Sequence, residues 1–214
     1  MARPSRNIDQ RLLDAGLELL PQTGCRSFSV RQLVEHAGVN LGMFHYHFKT
    51  KENFVRAVLE RMYEEMFSEL ALQVNPALPA LTGLRNLLRT LAKFARKHRL
   101  LMVRLVSETM SGERLPADFL KRNVPRHLKL IAETLARGQC EGNIVPGPVP
   151  MLVAFAVGAV AGPLLMGSAL EQHGLMPAGA AAALRTHVVS EAALNARIDL
   201  AIRALQRHTG EELQ

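Results

Sequence analysis

The run VNLGMFHYHFKTKENF, residues 39–54, sets His45 and His47 on either side of Tyr46 and follows them with Lys49 and Lys51. Side chains of these types could hold a metal ion, move a proton, or meet a flat anionic partner. Spacing decides among the three. On a helix opening at Asn40 each residue turns by about 100°, so His45 and His47 point roughly 200° apart and cannot share a metal. No HExxH is present, and no nearby Cys or Asp supplies further ligands. A hydrolytic role for either histidine lacks a Ser or Cys placed beside it as a nucleophile. Neither a metal nor a cofactor is expected, and what remains is a surface that touches an anion.

The elements that must position this surface are short helices. IDQRLLDAGLELLPQTG places Ile8, Leu12, Ala15 and Leu19 at helical spacing and ends at Gly24, with Pro21 set to kink or end the helix early. Ser29 and Gln32 form a capping box, with Phe28 and Leu33 as its apolar staple, and Gly38 ends the helix so opened. Asn40 caps a further short helix through Phe48. Thr50 caps a longer one with Val55, Leu59, Met62, Met66 and Leu70 on one stripe. Two short helices joined by about three residues containing Gly must cross steeply, which is a helix-turn-helix. VNPALPALTG, residues 74–83, reads as a linker, and helical stretches follow at 81–97, 98–111, 117–141, 150–172 and 181–208. No alternating strand pattern occurs. The fold expected is all-α, divided into a helix-turn-helix domain over residues 1–50, a connecting helix over 51–74 and a larger helical domain over 75–214.

Composition agrees with this division. The chain has 214 residues, of which 48% are apolar and 21% charged, so a packed core forms and global disorder is excluded. Its formal charge of +7 suits an anionic partner. Cys25 and Cys140 make no CxxC and no paired framework, which fits a reducing cytoplasm. MARPSRNIDQ has no apolar stretch after its basic residues and is not read as a secretory signal. MLVAFAVGAVAGPLLMGSAL, residues 151–170, is uncharged for 20 residues, the length of a membrane span. Its Ala and Gly content, Pro163 and the lack of a second span favour a helix–helix interface over a membrane.

In a helix-turn-helix the second helix enters the major groove and presents its first turns to base edges. Asn40, Leu41, Met43 and Tyr46 occupy those turns, and Gly42 lets backbone approach backbone. Tyr46 and His47 can donate to phosphates, Lys49 and Lys51 add charge, and Ser29 and Arg31 bring a helix N-terminus to the flanking backbone. Phe44 and Phe48 look inward. SVRQLVEHAGVNLGMFHYHFKTKENF resembles the helix-turn-helix of the TetR family of transcriptional regulators, with AGV, the Gly two residues after the cap, YHF and K.KE in register over residues 8–60. Many members carry Tyr where this chain has His45, which weakens one phosphate contact or makes it pH-sensitive. Cys25 also stands where an aromatic is common.

The resemblance implies a homodimer on a two-fold operator, with the C-terminal domain sensing a small molecule. Ala154, Gly158 and Gly162 recur every four residues, and Leu194, Ile198, Ala201 and Leu205 form a stripe on the last helix. Two such helices per subunit would build a four-helix bundle across the two-fold axis. Met62, Met102, Leu105, Val106, Met110, Phe119, Leu128 and Ile131 are the candidates for an apolar effector pocket. Residues 70–107 hold no Asp or Glu but carry Arg85, Arg89, Lys93, Arg96, Lys97, Arg99 and Arg104, a basic face open to DNA or to an acidic ligand group. The function expected is a dimeric repressor that binds double-stranded DNA at a palindromic operator and is released by an apolar effector. A sequence-tolerant architectural DNA binder is the alternative, and no catalytic constellation points to an enzyme.

Overall fold

The computed structural model describes residues 5–177 and 179–207, and every statement of structure below concerns those residues. Helices run in the order α1 (Ser5–Thr23), α2 (Val30–His36), α3 (Leu41–Phe48), α4 (Lys51–Leu72), α5 (Ala80–Lys97), α6 (Arg99–Met110), α7 (Arg114–Cys140), α8 (Val149–Gln172), α9 (Ala180–Leu184), a π-helical turn (Arg185–Val189) and α10 (Glu191–Leu205). Two compact units result: residues 1–65 with 100–123, and residues 66–99 with 124–214. Residues 100–123 pack with the first unit although they lie far from it in sequence.

In the first unit α1 runs through Pro21 to Thr23, whose hydroxyl donates to the Leu19 carbonyl at 3.1 Å, and Gly24 ends it at φ 71°. Proline therefore neither stops nor shortens this helix. Its buried face is Leu12, Ala15, Gly16 and Leu20, which keeps Leu12 and Ala15 of the expected stripe and leaves Ile8 and Leu19 half-buried. On α4 the stripe read in the sequence is the buried one: Val55, Leu59, Met62, Met66 and Leu70 are all in the core. Thr50 caps it by accepting the Asn53 amide at 3.1 Å.

In the second unit α5, α8 and α10 pack on one another. Pro79 offers α5 no side-chain cap, and Glu141 supplies one across the unit by accepting the Ala80 amide at 2.9 Å. That bond, followed by one from Asn143, holds the Glu141 carboxyl below its ordinary range. The linker is shorter than expected, since residues 80–83 already belong to α5. The single helix expected over 181–208 is broken. A π-turn precedes Ser190, whose extended backbone at ψ 153° restarts the chain as α10 and whose hydroxyl caps the Ala193 amide at 3.1 Å. Residue 208 and residues 1–4 of the sequence-stretch MARPSRNIDQ lie outside the described residues. An isolated bridge links Ile144 with Gln206, and no strand forms among the described residues.

Candidate nucleic-acid interface

The helix pair α2–α3 is shaped by its own caps. Ser29 Oγ accepts the Gln32 amide at 3.4 Å and opens α2. At its end the Val39 amide donates to the Val34 carbonyl at 2.9 Å and the Gly38 amide to the Glu35 carbonyl at 3.1 Å, the double closure of a Schellman motif. Gly38 adopts the left-handed φ of 62° that this closure requires. Asn40 Oδ1 then accepts the Met43 amide at 2.9 Å and opens α3. The turn is clamped from α1, where the Arg11 guanidinium donates to the Ala37 carbonyl at 2.6 Å.

Two further ties hold the chain leading into α2. Lys51 Nζ donates to the Arg26 carbonyl at 2.6 Å. Glu108, from α6, accepts the Cys25 amide at 3.0 Å and the Arg26 amide at 3.1 Å. Burial first, then the Glu108 charge and hydrogen bond, push the Cys25 thiol up to about 12, so this cysteine is inert at neutral pH. Behind the pair, Phe54 gathers Phe28, Phe44 and Phe48 at ring-centroid distances of 5.5, 5.5 and 4.9 Å. Phe44 is fully buried and Phe48 partly so, the inward orientation read for both. Gly16 lets this cluster close on α1, because a Cβ there would stand 2.6 Å from Phe54 Cζ. Arg11, Gly16 and Glu108 are functional supports that the sequence reading missed. A glycine in mid-helix was the available signal for Gly16, and no local signal existed for Glu108.

With Phe44 inward, the opposite side of α3 faces solvent. Leu41 is 48% exposed and Tyr46 73%, large fractions for such side chains, and Gly42 and His45 are exposed beside them. Met43 is half-buried, and Asn40 keeps its amide nitrogen free of the capping bond. Arg31 is exposed and Ser29 half-buried at the start of α2. No acidic residue occurs in α3. His45 Nδ1 lies 3.2 Å from the Lys49 carbonyl, an acceptor, so it carries the proton and Nε2 can donate to a phosphate only in the doubly protonated ring. His47 is half-buried, and its Nε2 is buried without a hydrogen-bond partner. Lys51 is likewise occupied in part by Arg26, with two ammonium donors left. Lys49 closes α3 at φ 65° and ψ −54°, with the Thr50 amide donating to the Phe48 carbonyl at 2.7 Å. This is a strained γ-turn on a non-glycine residue, at the edge of the exposed face.

The residues read as pocket and dimer candidates separate by burial. Met62, Leu105, Phe119 and Ile131 are closed core, Met102 and Leu128 are half-buried, and Val106 and Met110 are exposed, the latter at 85%. Neither groove described for the second unit is lined by any of the eight. On α8, Ala154, Gly158 and Gly162 are exposed, and a Cβ at either glycine would meet nothing within 4 Å. On α10 the stripe Leu194, Ile198, Ala201 and Leu205 is buried within its own subunit. It packs against α5 and α8 as core of its own subunit, rather than standing on the surface as expected for a dimer interface. The side of α10 that remains exposed carries Ala192, Ala196 and Leu200.

Residues 12–58 match the family model described as bacterial regulatory proteins, tetR family. No curated protein matches the sequence. Among solved structures, a TetR-family transcriptional regulator from Agrobacterium tumefaciens aligns with a TM-score of 0.72 at 15% identity, over 95% of this chain and 100% of that one. A bacterial regulatory protein in the tetR family from Rhodococcus RHA1 aligns with a TM-score of 0.68 at 14% identity, over 96% and 98%. At such identities the likeness is one of fold.

Proposed function

We propose, from the match of residues 12–58 to the tetR family model and from the fold shared with TetR-family regulators, that the chain is a ligand-responsive, dimeric transcriptional repressor of that family. The observation that carries the DNA-binding part is the solvent face of α3. Tyr46, Leu41, Gly42 and His45 stand outward on a helix without carboxylates, and its orientation is fixed by Arg11, Lys51, Glu108 and the Phe54 cluster. A scaffold so tied presents one rigid edge to the major groove, with Asn40, Leu41 and Met43 toward bases and Ser29, Arg31, Tyr46, Lys49 and Lys51 toward phosphates.

Dimerisation is supported by α8. One of its sides is core, through Leu152, Ala156, Val160 and Leu164, while Met151, Phe155 and Met166 are exposed beside the smooth Ala154–Gly158–Gly162 ridge. By length and composition this helix could cross a membrane. Its packing on α5 and α10 makes a second copy of the chain the better cover, with the Ala192, Ala196 and Leu200 side of α10 continuing the patch. Two copies then present two α3 helices to a palindromic operator in the cytoplasm. An apolar effector releases the DNA by changing the separation of those helices through α4, which runs from the first unit into the second.

Tyr46→Ala tests the interface. We expect DNA affinity to fall by on the order of tenfold, the worth of one lost hydrogen bond and its ring contact, with the oligomer and its melting unchanged. Unaltered affinity would remove Tyr46 from the contact surface.

A further inference from the structure

A groove of about 560 Å³ runs along the second unit between the end of α4, the exposed side of α5 and α10. That volume falls within the roughly 300–1,000 Å³ of small-molecule sites. Its α5 wall is cationic, with Arg89, Lys93 and Arg96 at successive turns of one helical face. One end of this wall is neutralised, where Glu191 lies 3.1 Å from Arg96; at the other, Asp199 is held chiefly by Arg85 outside the groove at 3.2 Å and stands 3.8 Å from Arg89. Lys93, between them, is exposed and has no carboxylate within ion-pair distance among the described residues. Arg89 is held only at the edge of ion-pair range, which leaves most of its fork of donors open. Here α5 points a free ammonium and a loosely held guanidinium into a concavity.

The remaining walls specify more than charge. Glu69, on the α4 side, is exposed and has no cation within ion-pair distance among the described residues. Thr90 and Asn195 add neutral donors and acceptors, and Ala92 and Leu194 form a small apolar floor. A purely apolar molecule would strip water from Lys93 and Glu69 without replacing it, which is unfavourable. A bare inorganic anion would satisfy Lys93 but leave Glu69 facing like charge.

We propose that this groove binds a small organic oxyanion, a carboxylate or a phosphomonoester, whose hydroxyl or ammonium donors face Glu69 and Asn195. Lys93 and Arg89 take the oxyanion, in charge-assisted hydrogen bonds. The proposal stands apart from the regulatory reading, because binding is read on the full chain without DNA.

Calorimetric titration of the full chain with glycerol 3-phosphate, malate, inorganic phosphate and glycerol tests it. We expect one of the two organic anions to bind more tightly than inorganic phosphate, and glycerol not to bind. Preference for glycerol 3-phosphate identifies the head group as phosphate, and preference for malate identifies it as carboxylate. Lys93→Gln, at an exposed position that leaves the fold intact, should weaken that binding by on the order of tenfold. Glu69→Gln should narrow the advantage of the organic anion over inorganic phosphate. Absence of heat with both organic anions at millimolar concentration overturns the proposal, as does binding that neither Lys93→Gln nor Arg89→Gln alters.

Discussion

Gly16→Ala sets two effects of known size against each other. Alanine in mid-helix is favoured over glycine by about 1 kcal/mol, because glycine loses more backbone entropy on folding. Against this, the new methyl would stand 2.6 and 2.9 Å from Phe54 Cζ and Cε1 and 2.9 Å from Val58 Cγ2, well inside van der Waals contact. The Phe54 ring cannot step aside, since Phe28, Phe44 and Phe48 surround it at 5.5, 5.5 and 4.9 Å. Overpacking a fixed core costs about 1–3 kcal/mol, so the net expectation is destabilisation of up to about 2 kcal/mol. Both tyrosines, Tyr46 and Tyr63, lie in the first unit and the chain has no Trp, so tyrosine emission during urea unfolding reports that unit alone. Phe54→Leu makes room beside Gly16, and the double variant should be more stable than the sum of the single effects. A Gly16→Ala variant more stable than wild type by the full helix-propensity gain of about 1 kcal/mol would refute the tight closure of α1 on the aromatic cluster.

Glu108→Ala removes the acceptor for two amides, one of them part-buried. It should cost about 2 kcal/mol in the same urea assay, with Glu108→Gln between it and wild type; an alanine variant as stable as wild type would show that the clamp contributes nothing. Gly158→Leu adds a side chain where a Cβ meets nothing within 4 Å in its own subunit, so the subunit should stay folded while the proposed dimer dissociates. Sedimentation at matched concentrations checks this, and an unweakened dimer would move the interface off α8. Burial lowers the His127 pKa from 6.5 to about 4. The folded state therefore binds its proton less readily than the unfolded chain. The contribution to stability is complete above pH 6.5 and is lost as the pH falls to about 4, by on the order of 3 kcal/mol. His127→Gln should flatten the wild-type stability profile across that window, and an unchanged slope would contradict the burial.

The helix-turn-helix was legible because its signals are local. Ser29, Asn40 and Thr50 are caps whose partners lie three residues away, and Gly38 needs only its own φ. The α4 stripe was legible for the same reason, as periodicity alone sorts its buried residues. Ties between distant segments were not legible. Arg11 reaches a carbonyl 26 residues on, and Glu108 reaches amides 83 and 82 residues back, so neither has a neighbour in sequence to announce it. Apolar periodicity also failed to choose between partners. Leu194, Ile198, Ala201 and Leu205 form a true stripe, but it covers α5 and α8 of the same chain and leaves Ala192, Ala196 and Leu200 outside. The break at Ser190 was hidden by alanines and β-branched residues that read as continuous helix, although Ser190 followed by Glu191 is a helix start.

Titration of the purified protein against random genomic DNA fragments at fixed salt, with the recovered fragments sequenced, tests the central claim most directly. A dimer reading two half-sites should enrich one short palindrome whose half-sites lie about 10 base pairs apart or a multiple of that, and Tyr46→Ala should lower its recovery on the order of tenfold while leaving the enriched sequence the same. Uniform recovery of fragments, with the same steep salt dependence for all, would contradict a sequence-specific regulator and leave a protein that binds DNA by charge alone.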